Sequence, residues 1–132
     1  MEKGTVLFYQ DFKFYDNSTS DKLLIVLNSP KNIRMPYLCC KTTTTRRYTD
    51  GQGCFPQYSV YVLLAKEDFF NGKTWVQLHE FYEMDAQHLL NACHKYGKAR
   101  IIGKLNDQVA NAIVNCAKQS DDISEYQLSL LK

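Results

Sequence analysis

The amino-acid sequence predicts a mainly β, α+β fold: a small, strongly bent antiparallel barrel with a short helix after strand five and a C-terminal helix. Three observations lead there. Runs of β-branched and aromatic residues recur through residues 5–84, with turn residues between them and no long helical pattern separating them. After Met84 the apolar spacing changes from the period of a strand to that of a helix. The chain of 132 residues is the usual size of one domain and can bury a substantial core, so residues 1–132 are read as a single domain.

Gly4 precedes Thr5-Val6-Leu7-Phe8-Tyr9, a first strand closed by the charged and polar residues that follow. Asp16 to Asp21 reads D-N-S-T-S-D, all turn and capping residues, and after Lys22 comes Leu23-Leu24-Ile25-Val26-Leu27, apolar enough for burial on both faces. Asn28, Ser29 and Pro30 stop this second strand, because proline removes a ladder donor and restricts the residue before it. A third strand runs from about Met35 to Thr42. Asp50 to Gly53 forms a turn, Tyr58 to Leu64 a fourth strand, and Asn71-Gly72 a hairpin signal leading into a fifth strand from Thr74 to Met84. Trp75, Tyr58 and Tyr61 read as barrel core rather than as a stacking platform.

Ala86 to Tyr96 carries Leu89, Leu90 and Cys93 at helical spacing, with Gly97 as the C-cap. Ala99 to Ile102 suits a sixth short strand. Asn106 then caps a helix whose apolar stripe is Val109, Ala112, Ile113, Cys116 and Ala117, ending near Ser120. Beyond it, partial alternation at Ile123, Tyr126, Leu128, Leu130 and Leu131 fits an edge strand or a tail docked on the barrel.

A net charge of +2 is too small to mark a nucleic-acid binder by itself, so any electrostatic footprint has to come from local clustering. One cluster stands out. Lys41-Thr42-Thr43-Thr44-Thr45-Arg46-Arg47 leaves the third strand with no carboxylate before Asp50. Cations and hydroxyls at the rim of a sheet suit phosphate oxygens, while the plain alternative is an edge strand followed by a solvated turn. The five cysteines, Cys39, Cys40, Cys54, Cys93 and Cys116, are odd in number and contain no C-x-x-C, so buried reduced thiols are expected rather than a disulfide framework. Cys54, Cys93, His88 and His94 lack metal-ligand spacing, and no cysteine has a local base partner, so neither a metal nor a thiol nucleophile is expected. No charged and apolar leader opens the chain, and no apolar run approaches the roughly 18 residues needed to span a bilayer. A cytoplasmic protein with no membrane contact is the expectation.

The order of these parts resembles the MazF/PemK family of toxins. Gly4 to Tyr9, Asp21 to Asn28, and Leu38-Cys39-Cys40-Lys41-Thr42-Thr43 are similar to its first three strands. His79-Glu80-Phe81-Tyr82-Glu83-Met84-Asp85 resembles the segment written D-Q-x-R-T-x-D, and Ile102-Gly103-Lys104-Leu105 with Asp107 to Lys118 resembles its closing G-x-L and terminal helix. The resemblance implies an SH3-like barrel, dimeric, acting on single-stranded RNA as a metal-free and cofactor-free endoribonuclease and neutralised by a cognate antitoxin. Such chemistry uses the substrate's own 2′-hydroxyl, and needs a base, a cation for the phosphorane charge and an acid for the leaving 5′-oxygen.

By this resemblance an arginine in the pattern K-R-P-x-L-V-L-S falls at Lys22, which keeps the charge and loses the bidentate fork. The family's hydroxyl at the end of strand three falls at Thr42 or Thr43. An aspartate two residues after an arginine in strand five falls at His79, with Gln77 in the arginine's place; histidine is a good base because both its forms are populated near neutral pH. Lys22, Thr42 and His79 are thus the catalytic candidates, and Lys41, Thr43, Arg46, Arg47 and Gln77 the RNA-binding ones, Arg46, Arg47 and Tyr48 forming a gripping loop. Each has a structural alternative: a solvated cation, a β-forming threonine, an exposed strand histidine. The rival function is a barrel without catalysis that binds nucleic acid or a protein, as the CcdB branch of the superfamily does.

Overall fold

The structure, a computed structural model, describes residues 1–64, 70 and 72–132. Its first strand, β1 (Thr5–Lys13), runs past the expected stop at Tyr9. A bulge between Tyr9 and Phe12 absorbs the polar pair Gln10 and Asp11, with Asp11 at φ 53° and its freed amide donating to Asp21 Oδ1 at 2.9 Å. Phe12 thereby returns to the core. The remaining strands are β2 (Thr19–Val26), β3 (Tyr37–Thr43), β4 (Gly53–Phe55), β5 (Val60–Leu63), β6 (Thr74–Met84) and β7 (Ala99–Lys104). Between β4 and β5, Pro56 opens a single 3-10 turn, Pro56–Tyr58, and Ser59 at φ 53° returns the chain to the sheet. The expected turn at Asp50–Gly53 and strand from Tyr58 are therefore replaced by a short hairpin. Asn71 of the expected Asn71-Gly72 turn lies outside the described residues.

All pairings are antiparallel, and the order is β4-β5-β6-β3-β2-β1-β7. β4 and β7 are the two edges, so the sheet is open where the sequence leads to a closed barrel. The fold is mixed α+β and mainly β. Alternation along the central strands buries both faces, as the apolar run of β2 requires: Ile25, Leu38, Cys40 and Val76 point to one core, Leu24, Val26 and Cys39 to the other.

The helices cover these faces. α1 (Ala86–His94) is capped by Asp85, whose side chain accepts from the amides of Gln87 and His88, and it buries Leu89 and Ala92 in the second core. α2 (Asp107–Ala117) is capped by Asn106 and buries Ala110, Ile113, Val114 and Ala117 in the first. Ser120 then donates to the Leu78 carbonyl at 2.6 Å and ties the end of α2 to β6. The C-terminal segment is a short helix, α3 (Glu125–Ser129), not an edge strand. Ser124 and Gln127 form a reciprocal capping box that starts it, and Leu130 and Leu131 dock in the first core.

The cysteines depart from expectation in part. Cys39 and Cys40 are buried thiols and Cys93 a half-buried one, but Cys54 in β4 is bonded to Cys116 in α2. Separation along the chain hides this pair, which strand pairing and helix docking bring together. Burial pushes the Cys39 thiol up to about 12 and raises that of Cys40 as well, so both are poor nucleophiles. Among the described residues no helix is long and apolar enough to cross a membrane.

Candidate functional site

Strand register sets one row of side chains across the sheet. Leu24 pairs with Lys41, Lys41 with Gln77, and Gln77 with Val60. Residues paired in this way share a face, so Lys41 and Gln77 stand side by side on the face away from the first core. Lys22 lies two residues before Leu24 in β2 and shares that face. In β6 the partners jump from Gln77 to Tyr82 while those in β3 advance only from Lys41 to Cys39, so residues 78–81 bulge opposite Cys40. His79 and Glu80 lie in this bulge, a place where sheets commonly re-aim side chains.

A pocket of about 210 Å³ opens on this face, lined by Lys41, Arg47, Tyr48, Tyr58, Gln77 and His79. Its size suits a single phosphate or base rather than a whole cofactor. Arg47 and Tyr48 reach it from the loop between β3 and β4, and Tyr58 from the 3-10 turn. The Lys22 ammonium lies behind Lys41. Both cations face the Phe14 ring, Lys41 Nζ at 4.7 Å and Lys22 Nζ at 5.9 Å from its centroid. Burial, and then the charges of Lys41 and Arg47, hold the Lys22 ammonium below the usual lysine range. Three cations thus crowd one site, and an anion would relieve their repulsion.

The Glu80 carboxylate answers Lys41. Glu80 Oε2 accepts from the Tyr82 hydroxyl at 2.7 Å and lies 3.7 Å from Lys41 Nζ, while Glu80 Oε1 is 3.4 Å from His79 Nε2. Glu80 therefore lies between the histidine and the cationic cluster, within ion-pair distance of both.

The sequence candidates divide on this geometry. Lys41, Arg47, Gln77 and His79 line the pocket, with Lys22 beside it. Thr42 does not join them: it is 5 % exposed, it points toward the first core, and its hydroxyl donates to the Leu23 carbonyl at 2.8 Å. What Thr42 offers Lys22 is its carbonyl oxygen, 3.4 Å from Nζ. Thr43 accepts from the Thr45 amide at 3.1 Å, and Arg46 pairs with Asp50 at 3.2 Å in solvent. Glu80 and Phe14 went unread in the sequence, although the His79-Glu80 adjacency and the F-K-F-Y segment were visible. Tyr58 is half exposed at the pocket rather than core, and Pro56, which starts its turn, is the signal for that.

A larger cleft of about 570 Å³ lies between the β1–β2 hairpin and α1. Its floor of Phe12, Met84 and Ala92 is apolar, and a Tyr9 Oη to His88 Nε2 contact of 3.2 Å is the polar pair at its rim. It holds none of the sequence candidates, and the smaller polar pocket is the better match to anion chemistry. Comparison with protein-family models and with curated proteins finds no match, so the functional reading rests on these residues.

Proposed function

We propose that the chain is a metal-independent endoribonuclease that binds single-stranded RNA at the Lys41–His79 pocket. The supporting observation is that a histidine with a carboxylate partner lines the same small pocket as Lys41 and Arg47, with Lys22 at its edge. In this reading Lys41 and Arg47 hold the scissile phosphate and stabilise the charge of the phosphorane. His79, oriented by Glu80, takes the proton from the 2′-hydroxyl, whose oxygen attacks phosphorus. As the bond to the 5′-oxygen breaks, Lys22 supplies a proton, which the lowered proton affinity of its amine favours. The products are a 2′,3′-cyclic phosphate and a free 5′-hydroxyl.

An SH3-like arrangement of β1, β2, β3, β5 and β6 within the open sheet belongs to the same proposal. So do a homodimer and an antitoxin that occludes the pocket. A second reading, RNA binding without cleavage, is favoured by Thr42, whose hydroxyl is committed to Leu23 on the opposite face.

Incubation of the purified protein with long single-stranded RNA in EDTA separates the two. Cleavage to cyclic-phosphate ends that is lost in His79→Ala and Lys22→Ala supports the enzyme. Retarded but intact RNA supports the binding module, and RNA neither bound nor cut removes both.

A further inference from the structure

Tyr48 and Tyr58 stack face to face at the pocket, ring centroids 5.3 Å apart and planes within 9° of parallel. Neither ring is needed to fill a core. Tyr48 is 71 % exposed and Tyr58 42 %, so the partner covers one face of each ring while the outer face of Tyr48 stays open to solvent. A base cannot enter between rings this close, which leaves that outer face as the landing surface.

The backbone holds the ring there against its own preference. Tyr48 has φ 63°, a left-handed conformation unfavourable for a bulky residue, and it is the central residue of a three-residue turn closed by the Thr49 amide donating to the Arg47 carbonyl at 2.6 Å. Buried Trp75 fixes this turn, its indole N–H donating to the Thr49 carbonyl at 2.8 Å, and Lys73 donates to the Asp50 carbonyl next along the loop. An unfavourable conformation that neighbours over-determine, on an exposed aromatic beside a cationic pocket, is the kind found at ligand sites. The same turn aims Arg47 and Tyr48 at one pocket, so a phosphate contact and a flat apolar surface are offered together.

We propose that the Tyr48–Tyr58 pair is a nucleobase subsite: one base of a single strand stacks on the open face of Tyr48 while the adjoining phosphate meets Arg47 and Lys41. The proposal rests on the RNA reading of the pocket and adds a base contact to it. Stacking on an aromatic ring tolerates every base, so the subsite selects unpaired strands rather than a sequence.

The test compares two ligands of equal charge by fluorescence anisotropy. One is 2′-O-methyl hexauridine, whose blocked hydroxyls cannot attack, and the other is the same backbone without bases. The wild-type protein should bind the base-bearing strand about tenfold tighter. Tyr48→Ala should abolish that difference, read as the ratio of the two affinities in each variant, while Tyr48→Trp should keep it. Thermal melting of each variant checks folding, and Tyr58→Ala, which removes the supporting ring only, should reduce the difference as well. Equal affinity of the wild type for both strands, or a preference that survives Tyr48→Ala, overturns the base subsite and leaves the phosphate site standing. Binding of neither strand overturns both.

Discussion

Lys22 concentrates the electrostatic cost of this site, because its ammonium is partly buried beside two other cations. Its folded value lies below the 10.5 of an unperturbed lysine, so between the two the unfolded chain holds a proton that the folded chain has released. Stability should therefore rise with pH through that window, and Lys22→Met should flatten the rise while changing stability at pH 7 by no more than about 1 kcal/mol. Urea titrations across pH 8–11 measure both. A bound phosphate reverses the repulsion, so RNA affinity should fall as Lys22 deprotonates and should do so less in the variant. Thr42 makes the opposite prediction. Thr42→Val removes the hydroxyl that serves the Leu23 carbonyl, costing about 1 kcal/mol of stability, and leaves RNA affinity unchanged. A collapse in affinity with normal stability would return the hydroxyl to the site.

Two elements depend on contacts far apart in sequence. Gly4 immediately precedes β1 at φ +93°, where its amide donates to the Val26 carbonyl at 2.7 Å and its carbonyl accepts from the Leu105 amide at 2.9 Å. A Cβ there would stand 3.1 Å from the Ala110 Cβ of α2, in a conformation that side chains disfavour. Gly4→Ala should cost about 1 to 2 kcal/mol, read by denaturant midpoint. The short edge strand β4 is held by its pairing with β5 and by the bond from Cys54 to Cys116 in α2, 62 residues away. Closing a loop of that size is worth about 4 kcal/mol by the chain-entropy account. Unfolding measured with and without a dithiol reductant should differ by an amount of that order, and the Cys54→Ser, Cys116→Ser double variant should match the reduced protein. Because β4 follows directly on the loop bearing Arg47 and Tyr48, such a bond anchors one wall of the pocket.

The molecule as a whole is nearly neutral, at +2, so the proposed binding of RNA has to draw on the gathering of Lys22, Lys41 and Arg47 on one face. Contact of all three with a single strand predicts a plot of log affinity against log salt with a slope of about −2, and Lys41→Ala should lower its magnitude by about 0.7. A slope near zero would exclude a phosphate site. Most strands and the N-cap of α2 were legible beforehand: the apolar run at Leu23–Leu27 dictates a strand with two buried faces, and Asn106 starts α2 as its residue type predicts. The C-cap of α1, by contrast, is Lys95 rather than the expected Gly97. Lys22, Lys41, Gln77 and His79 were legible as residue types suited to RNA, but their juxtaposition was not.

Periodicity and turn chemistry are local, so the sequence alone determined that the chain is mainly β, where most strands lie, and that its cations cluster after the third strand. Which face each side chain takes depends on register and bulges, and these are set by pairing between distant segments. A one-residue offset turns a side chain to the other face, and that parity separates Thr42, directed into the core, from Lys41, directed into the pocket. Tertiary structure likewise decided the bond between Cys54 and Cys116, the placing of Glu80 against His79 and Lys41, and the open sheet in place of a closed barrel. None of these is a property of a single segment; each follows from how segments far apart in the chain pack together.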